Sequence, residues 1–277
     1  MRPPADNAQL ALLLEVAGTP KPGNVDRHRE YADLRFEHFL AGAVGAGPGL
    51  RRAADGDPLG AAFEASVDGM RQQRGGNTQF GCLLNLVPLV RAAADGPLTP
   101  GAVRDRCAET TVDDACDFYR AFEHVDVAVG DAPPDIDLPD VGLGADATDV
   151  VRAQGLTLWD VMERSAPVDA NAREWVAGFP RSFAAAEEIL ADEGTATERV
   201  ARAFLRLLAE EPDTLVRTQH GDRIAREVQA QAAEVGEDLD AATDLAEAFV
   251  ADDINPGTTA DLTAAAVFVA LERGWEV

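Results

Sequence analysis

Lys21 is the one lysine among 24 Lys and Arg residues, and it stands in the most constrained stretch of the chain, Thr19-Pro20-Lys21-Pro22-Gly23-Asn24-Val25-Asp26. An ammonium is a compact point charge rather than a planar fork, which suits a phosphate. The flanking prolines fix φ and bias Thr19 and Lys21 towards extended backbone, so the segment reads as a stiffened loop. Gly23 admits a close approach or a positive φ, and Asn24 and Asp26 bring an amide and a carboxylate to the same turn. The competing reading is a tight interhelical loop with an exposed lysine.

Three further junctions carry polar residues that helix propensity does not demand. Gly75-Gly76-Asn77-Thr78-Gln79-Phe80-Gly81 precedes a strongly apolar segment. Asn77 or Thr78 can cap that helix, and its free N–H groups either accept an anion or form an ordinary cap. Asp213 and Arg217, followed by Gln219 and His220, have the i,i+4 spacing of a surface ion pair of little energetic worth. Asn255-Pro256-Gly257-Thr258-Thr259-Ala260-Asp261 opens the last helix, either as an anion-accepting end or simply as a good helix start. The four histidines, His28, His38, His124 and His220, show no paired zinc spacing. His28 and His220 lie beside motifs, yet lone histidines are more often ordinary polar residues. Cys82, Cys107 and Cys116 are odd in number without CxxC spacing, and read as small core residues.

The elements that must position these groups are helical. Apolar residues recur at helical spacing, as in Leu10, Leu13, Leu14 and Ala17, or Val200, Ala203, Phe204, Leu207 and Leu208. The pattern predicts helices over 6–17, 33–46, 58–73, 78–94, 99–109 and 111–124, then 157–165, 169–178, 180–192, 195–210, 219–235, 239–252 and 258–273. Thr195, Asp238 and Thr258 are expected N-terminal caps, Gly18 and Gly236 C-terminal stops, and Pro88 a kink or break. The one β-like run, Val125 to Val129, leads into a Pro- and Asp-rich stretch, 131–149, expected to be a long loop. Trp159, Trp175 and Trp275 read as core or interface residues. The expectation is an all-α, compact single-domain bundle of roughly a dozen helices spanning residues 1–277.

A net charge of −25 and a pI near 4.3 come from acids dispersed along the whole chain. Dispersed acid with almost no lysine matches a soluble, cytoplasmic protein adapted to high salt, where screening suppresses self-repulsion. Nucleic acid is excluded as a partner, because a phosphate backbone needs a basic face. No apolar stretch reaches the length of a spanning helix, so a membrane is excluded too.

In order and wording, the four junctions resemble the triphosphoribosyl-dephospho-CoA synthase family, whose segments read Pro-Lys-Pro-Gly-x-Val-Asp, Asn-Thr-His-x-Gly, Asp-Thr-x-x-x-Arg and Ser-Pro-Gly-Gly-Ser-Ala-Asp-Leu. The matches here are Pro20 to Asp26, Asn77 to Gly81, Asp213 to Arg217, and Asn255 to Leu262. The resemblance implies an all-helical enzyme that takes ATP and dephospho-CoA, or a related acceptor, as small-molecule substrates. Adenine is displaced from the ATP ribose, whose anomeric carbon is joined to the ribose 2′-hydroxyl of dephospho-CoA, giving a prosthetic-group precursor. Cleavage there passes through an oxocarbenium-like state that needs a carboxylate, for which the resemblance offers Asp26, Asp213 and Asp261 as catalytic residues and as ligands of a Mg²⁺ ion. Lys21, Gly23, Asn24, Asn77, Thr78, Gln79, Arg217, Gly257 and Thr258 would then bind the nucleotide and its phosphates. The chain departs from the pattern at Gln79 and Tyr31, where the family has histidine, and at Thr218 and Gln219, where it has a double glycine. Rival readings are a non-catalytic adenine-nucleotide sensor and an N-glycoside hydrolase, and a homo-oligomer is compatible with each. The transferase reading requires Asp26, Asp213 and Asp261 to line one cleft near Lys21.

Overall fold

A computed structural model describes residues 2–130 and 137–277. Helices α1 (Pro4–Ala17), α2 (Phe36–Asp55), α3 (Leu59–Met70), α4 (Phe80–Asp95), α5 (Pro100–Ala108) and α6 (Val112–Ala121) form the first half. A 3-10 helix, Val141–Ala147, leads into α7 (Thr148–Gln154), α8 (Leu158–Ser165), α9 (Ala170–Ala177) and α10 (Pro180–Ala191). The chain closes with α11 (Ala196–Glu210), α12 (Thr214–His220), α13 (Asp222–Val235), α14 (Leu239–Ala251) and α15 (Gly257–Glu272). No strand occurs among the described residues, Val125 to Val129 included, and no helix is long and apolar enough to cross a membrane.

The last helix organises the rest. From Thr258 to Leu271 every residue except Asp261 is buried, the pattern of a helix surrounded on all sides. It packs against α1, α4, α10 and α11, so both halves of the chain share its surface. The principal core joins α15 to α1 through α10 and includes Leu12, Leu50, Phe63, Leu83, Tyr119 and Phe268. A smaller cluster on the far side of α11 gathers Phe204, Leu208, Val216, Val228 and Phe249. Cys82, Cys107 and Cys116 are free and buried.

Local signals set most boundaries. Thr111 with Asp114, Thr157 with Asp160 and Thr195 with Glu198 form reciprocal capping boxes, and Asp238 caps α14. Gly18 and Gly236 stop α1 and α13 as expected. Thr258 does not cap α15, which begins two residues after Asn255 with Pro256 at the N-cap. The expected long loop ends at Asp140, whose carboxylate accepts from Gly142 N at 2.8 Å and starts the 3-10 helix. Ala147 and Val151 then bury against the core, which a reading based on Gly and Asp content overlooks. The part of that loop at 131–136 lies outside the described residues.

Two prolines lie inside helices: Pro48, beyond the expected end of its helix, in α2, and Pro88, the expected kink or break, in α4. Each removes the donor for the carbonyl four residues earlier, and in each case a distant side chain supplies another. Gln9 Nε2 donates to Val44 O at 3.3 Å and to Ala43 O at 3.0 Å. Trp175 Nε1 donates to Leu84 O at 3.0 Å. The expected consequence is a penalty of about 1–3 kcal/mol for Trp175→Phe, because Leu84 O is left buried and unpaired. That penalty should shrink when Pro88→Ala restores a backbone donor, a coupling that a double-mutant cycle in urea reads directly.

Candidate functional site

The four sequence motifs meet at one cavity of about 540 Å³, a size suited to small-molecule ligands. Asn24 comes from the loop after α1, Asn77, Thr78 and Gly81 from the start of α4, Arg217 from α12, and Asn255, Gly257, Thr258 and Asp261 from the start of α15. A different chemistry faces them from α6, α8 and the segment between, including Phe118, Phe122, Val127, Val161 and Met162. One wall is amide and carboxylate; the other is aromatic and aliphatic.

Asp261 is the focus of the polar wall. Its Oδ1 accepts from Cys82 Sγ at 3.2 Å and its Oδ2 from Asn171 Nδ2 at 2.9 Å. Asn85 Nδ2 donates to Asn171 Oδ1 at 2.8 Å, which fixes the Asn171 amide with its donor towards Asp261. The carboxylate keeps some exposure to the cavity, but protein encloses it elsewhere. This burial raises its pKa to about 7, partly offset by the Asn171 and Cys82 hydrogen bonds and reinforced by Asp213 and Glu15. Gly81 makes room for it: a Cβ there would stand 2.0 Å from Asp261 Oδ2.

Asp26 and Asp213 do not line the cavity. Asp26 Oδ1 accepts from the amides of His28 and Arg29, and its Oδ2 from Thr19 Oγ1, Lys21 N and Arg29 Nη1. It closes its own loop. Asp213 caps α12 through Val216 N at 3.0 Å and accepts from Thr259 N and Oγ1, both at 2.7 Å, tying α12 to α15. Backbone hydrogen bonding has used the oxygens that a ligand or metal would need. Among the described residues no group of three or more His, Cys, Asp or Glu side chains could hold a metal ion, so a three-aspartate magnesium site does not fit this chain. The i,i+4 pair also fails to form, since Arg217 Nη2 donates to Val168 O at 2.6 Å.

Lys21, Gly23 and Gln79 also stand behind the cavity wall. Lys21 is 0% exposed, with Nζ bonded to Glu15 Oε1 and, at 2.9 Å, to Asn24 Oδ1. Neither the free phosphate ligand nor the exposed lysine of the sequence reading is present. Gly23 has φ +71° and packs so closely on the turn before α15 that a Cβ would lie 2.1 Å from Ile254 O. Gln79 turns its amide to Leu12 O, away from the cavity. Tyr31 Oη donates to Gly23 O at 2.6 Å and braces that loop. Thr218 is the departure from the family pattern that does reach the cavity.

The sequence reading missed Glu15, Asp169 and Asn171, and took Cys82 only as core, yet all four line the cavity. Glu15 had a signal: it follows Ala11 and Leu12 by four and three residues, so it shares their buried face of α1. Asp169 caps α9 through Ala172 N at 2.7 Å, and burial raises its pKa. Asn171 had none, because its role depends on α9 crossing to α15.

Arg217 is the cation among the described lining residues, against Glu15, Asp140, Asp169 and Asp261. Positive potential comes also from helix N-termini. The amides of Gly81 and Cys82 in α4 and of Thr258 in α15 have no acceptor among the described residues, and such ends favour anions.

Two substitutions separate site from scaffold. Gly81→Ala should leave Tm within a few degrees of wild type while displacing Asp261 and abolishing cavity-dependent activity. Asp213→Ala should instead lower stability by about 2–4 kcal/mol, since it strips Thr259 and Val216 of a buried charged acceptor. Thermal melts of the two variants check both.

Comparison with known proteins follows the same motifs. The family described as ATP:dephospho-CoA triphosphoribosyl transferase matches residues 1–277. A crystal structure of an Archaeoglobus fulgidus protein, provisionally assigned as a triphosphoribosyl-dephospho-CoA synthase, superposes with a TM-score of 0.74 at 28% identity, covering 87% of this chain and 100% of that one. No curated protein sequence matches.

Proposed function

The chain belongs to the ATP:dephospho-CoA triphosphoribosyl transferase family, and on that premise we propose that its cavity is where the ribose of ATP exchanges adenine for the acceptor hydroxyl, with Asp261 as the proton-handling carboxylate. The observation that carries this reading is that the four motifs line one cavity, which also holds a carboxylate bonded by Asn171 and Cys82. Asp261 accepts the proton of the acceptor hydroxyl while that oxygen bonds to the anomeric carbon. The bond from that carbon to adenine breaks with its electron pair leaving on the base. Asp261 then returns the proton to the departing adenine, so the carboxylate is regenerated.

The triphosphate lies against Arg217 and the amides at the starts of α4 and α15, with Asn24, Asn77, Thr78, Gly257 and Thr258 as neutral partners. This arrangement uses backbone dipoles where the chain has few cations. Any magnesium the reaction uses arrives as the counter-ion of the triphosphate, and no step is routed through it. The apolar wall of Phe118, Phe122 and Val127 suits adenine and shields the anomeric carbon from water. Gln79 and Tyr31 both stand behind the wall, so the loss of two family histidines supplies no argument for an acceptor other than dephospho-CoA. Residues 1–277 act as one catalytic domain in this reading, supported by the packing of α15 against helices of both halves. The acidic composition is in keeping with a cytoplasm of high salt.

The deciding assay is adenine release from ATP and Mg²⁺ in high-salt buffer, with and without dephospho-CoA. Release that depends on dephospho-CoA is expected; release without it would mean hydrolysis or another acceptor, and ATP binding without release would mean a sensor. Asp261→Asn should lower kcat by about 10²–10⁴-fold.

Two opposite pH dependences should accompany that loss. Only the ionised carboxylate accepts a proton, so wild-type kcat/KM should rise towards a plateau above about pH 7. Stability runs the other way. With its pKa raised above the unfolded value, Asp261 contributes fully below that value, and the contribution is lost as pH rises through about 7. Asp261→Asn should therefore melt higher than wild type at pH 8, with the gain fading in acid.

A further inference from the structure

We infer that Glu15 is a second catalytic carboxylate of this cavity, presenting its free oxygen to the ATP ribose, and that Lys21 is a positioning residue acting through Glu15 rather than a phosphate ligand. The inference rests on the transferase reading of the cavity.

Glu15 is 1% exposed yet belongs to the cavity wall. Lys21 Nζ engages Oε1. Oε2 accepts no hydrogen bond from a described residue, and it is not among the side-chain oxygens sealed from solvent without a partner. Oε2 is therefore the oxygen of this lining residue that is left for a ligand. Lys21, by contrast, has no reach left: its ammonium meets Glu15, Asn24 Oδ1 and the face of Phe204 at 5.8 Å. Stability alone does not account for the pair, because two buried charges are often no more stable than apolar side chains of the same volume.

The chemistry of the ribose gives the pair a use. As the bond to adenine lengthens, positive charge grows on the anomeric carbon, and a fixed anion beside it lowers the barrier. Asp261 moves the proton; Glu15 stays ionised and forms no bond. The balance of the reaction is unchanged, with the acceptor oxygen bound to the anomeric carbon and its proton leaving on adenine. Lys21 keeps Glu15 from competing for that proton. The charged groups that act on Glu15 are Lys21 and Asp26 from the loop after α1, and Glu15 in turn acts on Cys82 of α4 and Asp261 of α15. Burial raises the Glu15 pKa and Lys21 opposes that rise.

The test follows dephospho-CoA-dependent adenine release in full-length variants. Glu15→Gln should lower kcat by about 10²–10³-fold with the KM for ATP held near wild type, and should melt lower because buried Lys21 loses its counter-charge. Lys21→Met should be slow at pH 7 and recover at more alkaline pH, because burial raises the Glu15 pKa and the opposing effect of Lys21 is gone. The double variant should lose no more than Glu15→Gln alone and show no alkaline recovery. A Glu15→Gln enzyme within about fivefold of wild type, or a Lys21→Met profile that keeps the wild-type limb, would overturn the inference. The second criterion decides alone if Glu15→Gln does not fold. Wild-type enzyme that releases no adenine defeats the transferase reading itself, and is thereby distinguishable from an active Glu15→Gln.

Discussion

An ammonium moved from water into a protein interior is costly unless its charge and its donors are met, and Lys21 is wholly buried. Much of the site can be traced from how that demand is satisfied. Glu15 must sit on the inner face of α1, at its last turn, to meet the charge. Asn24 must fold back to meet a second donor, and its own amide then reaches Asn255 Oδ1 at 3.0 Å. The loop after α1 is thereby joined to the turn that starts α15, and Gly23 lets the two backbones touch. One buried charge connects the beginning of the chain to its end.

A second constraint acts at the start of α15. Asp213 and Asp261 lie at opposite uses of the same chemistry. Asp213 is buried and hydrogen-bonded by Thr259 and the α12 backbone, which fixes the helix start. Asp261 faces the cavity with weaker partners, a thiol and an amide, and burial keeps its proton affinity near neutrality. Burial raises the pKa of both; the first fixes structure, and the second faces open space, the usual placing of a reactive carboxylate. An acidic chain with few cations at its cavity turns to helix N-termini for positive potential, and those of α4 and α15 are brought to the same place.

Much of the helical architecture was legible because it is local. Periodicity located nearly every helix, and capping pairs such as Thr195 with Glu198 set their starts within a residue or two. The failures lie where distant contacts or short elements decide, as at α12, which the single helix expected over 219–235 did not separate from α13. The helix containing Pro48 was expected to stop short of it, and α4 is not broken at Pro88, since a missing donor is visible in sequence and its replacement by Gln9 or Trp175 is not. The short helices after Asp140 were read as loop because their two buried apolar side chains, Ala147 and Val151, are too few to show a period.

For the site, the sequence by itself determined which segments matter: the four motifs, after α1, before α4, after α11 and after α14, do surround one cavity. It also determined the supply of groups, one lysine, a few carboxylates and several amides next to helix starts. Only the tertiary structure decided their roles. Asp26, Asp213 and Asp261 are equivalent as letters, but two of them turn inward to backbone amides and one turns to open space. Lys21 turns away from the cavity and acts on Glu15, which no motif marked. The physical reason is that a side chain's function depends on what its oxygen or nitrogen is already bonded to. Those partners are set by helices crossing at a distance, not by neighbours in the chain.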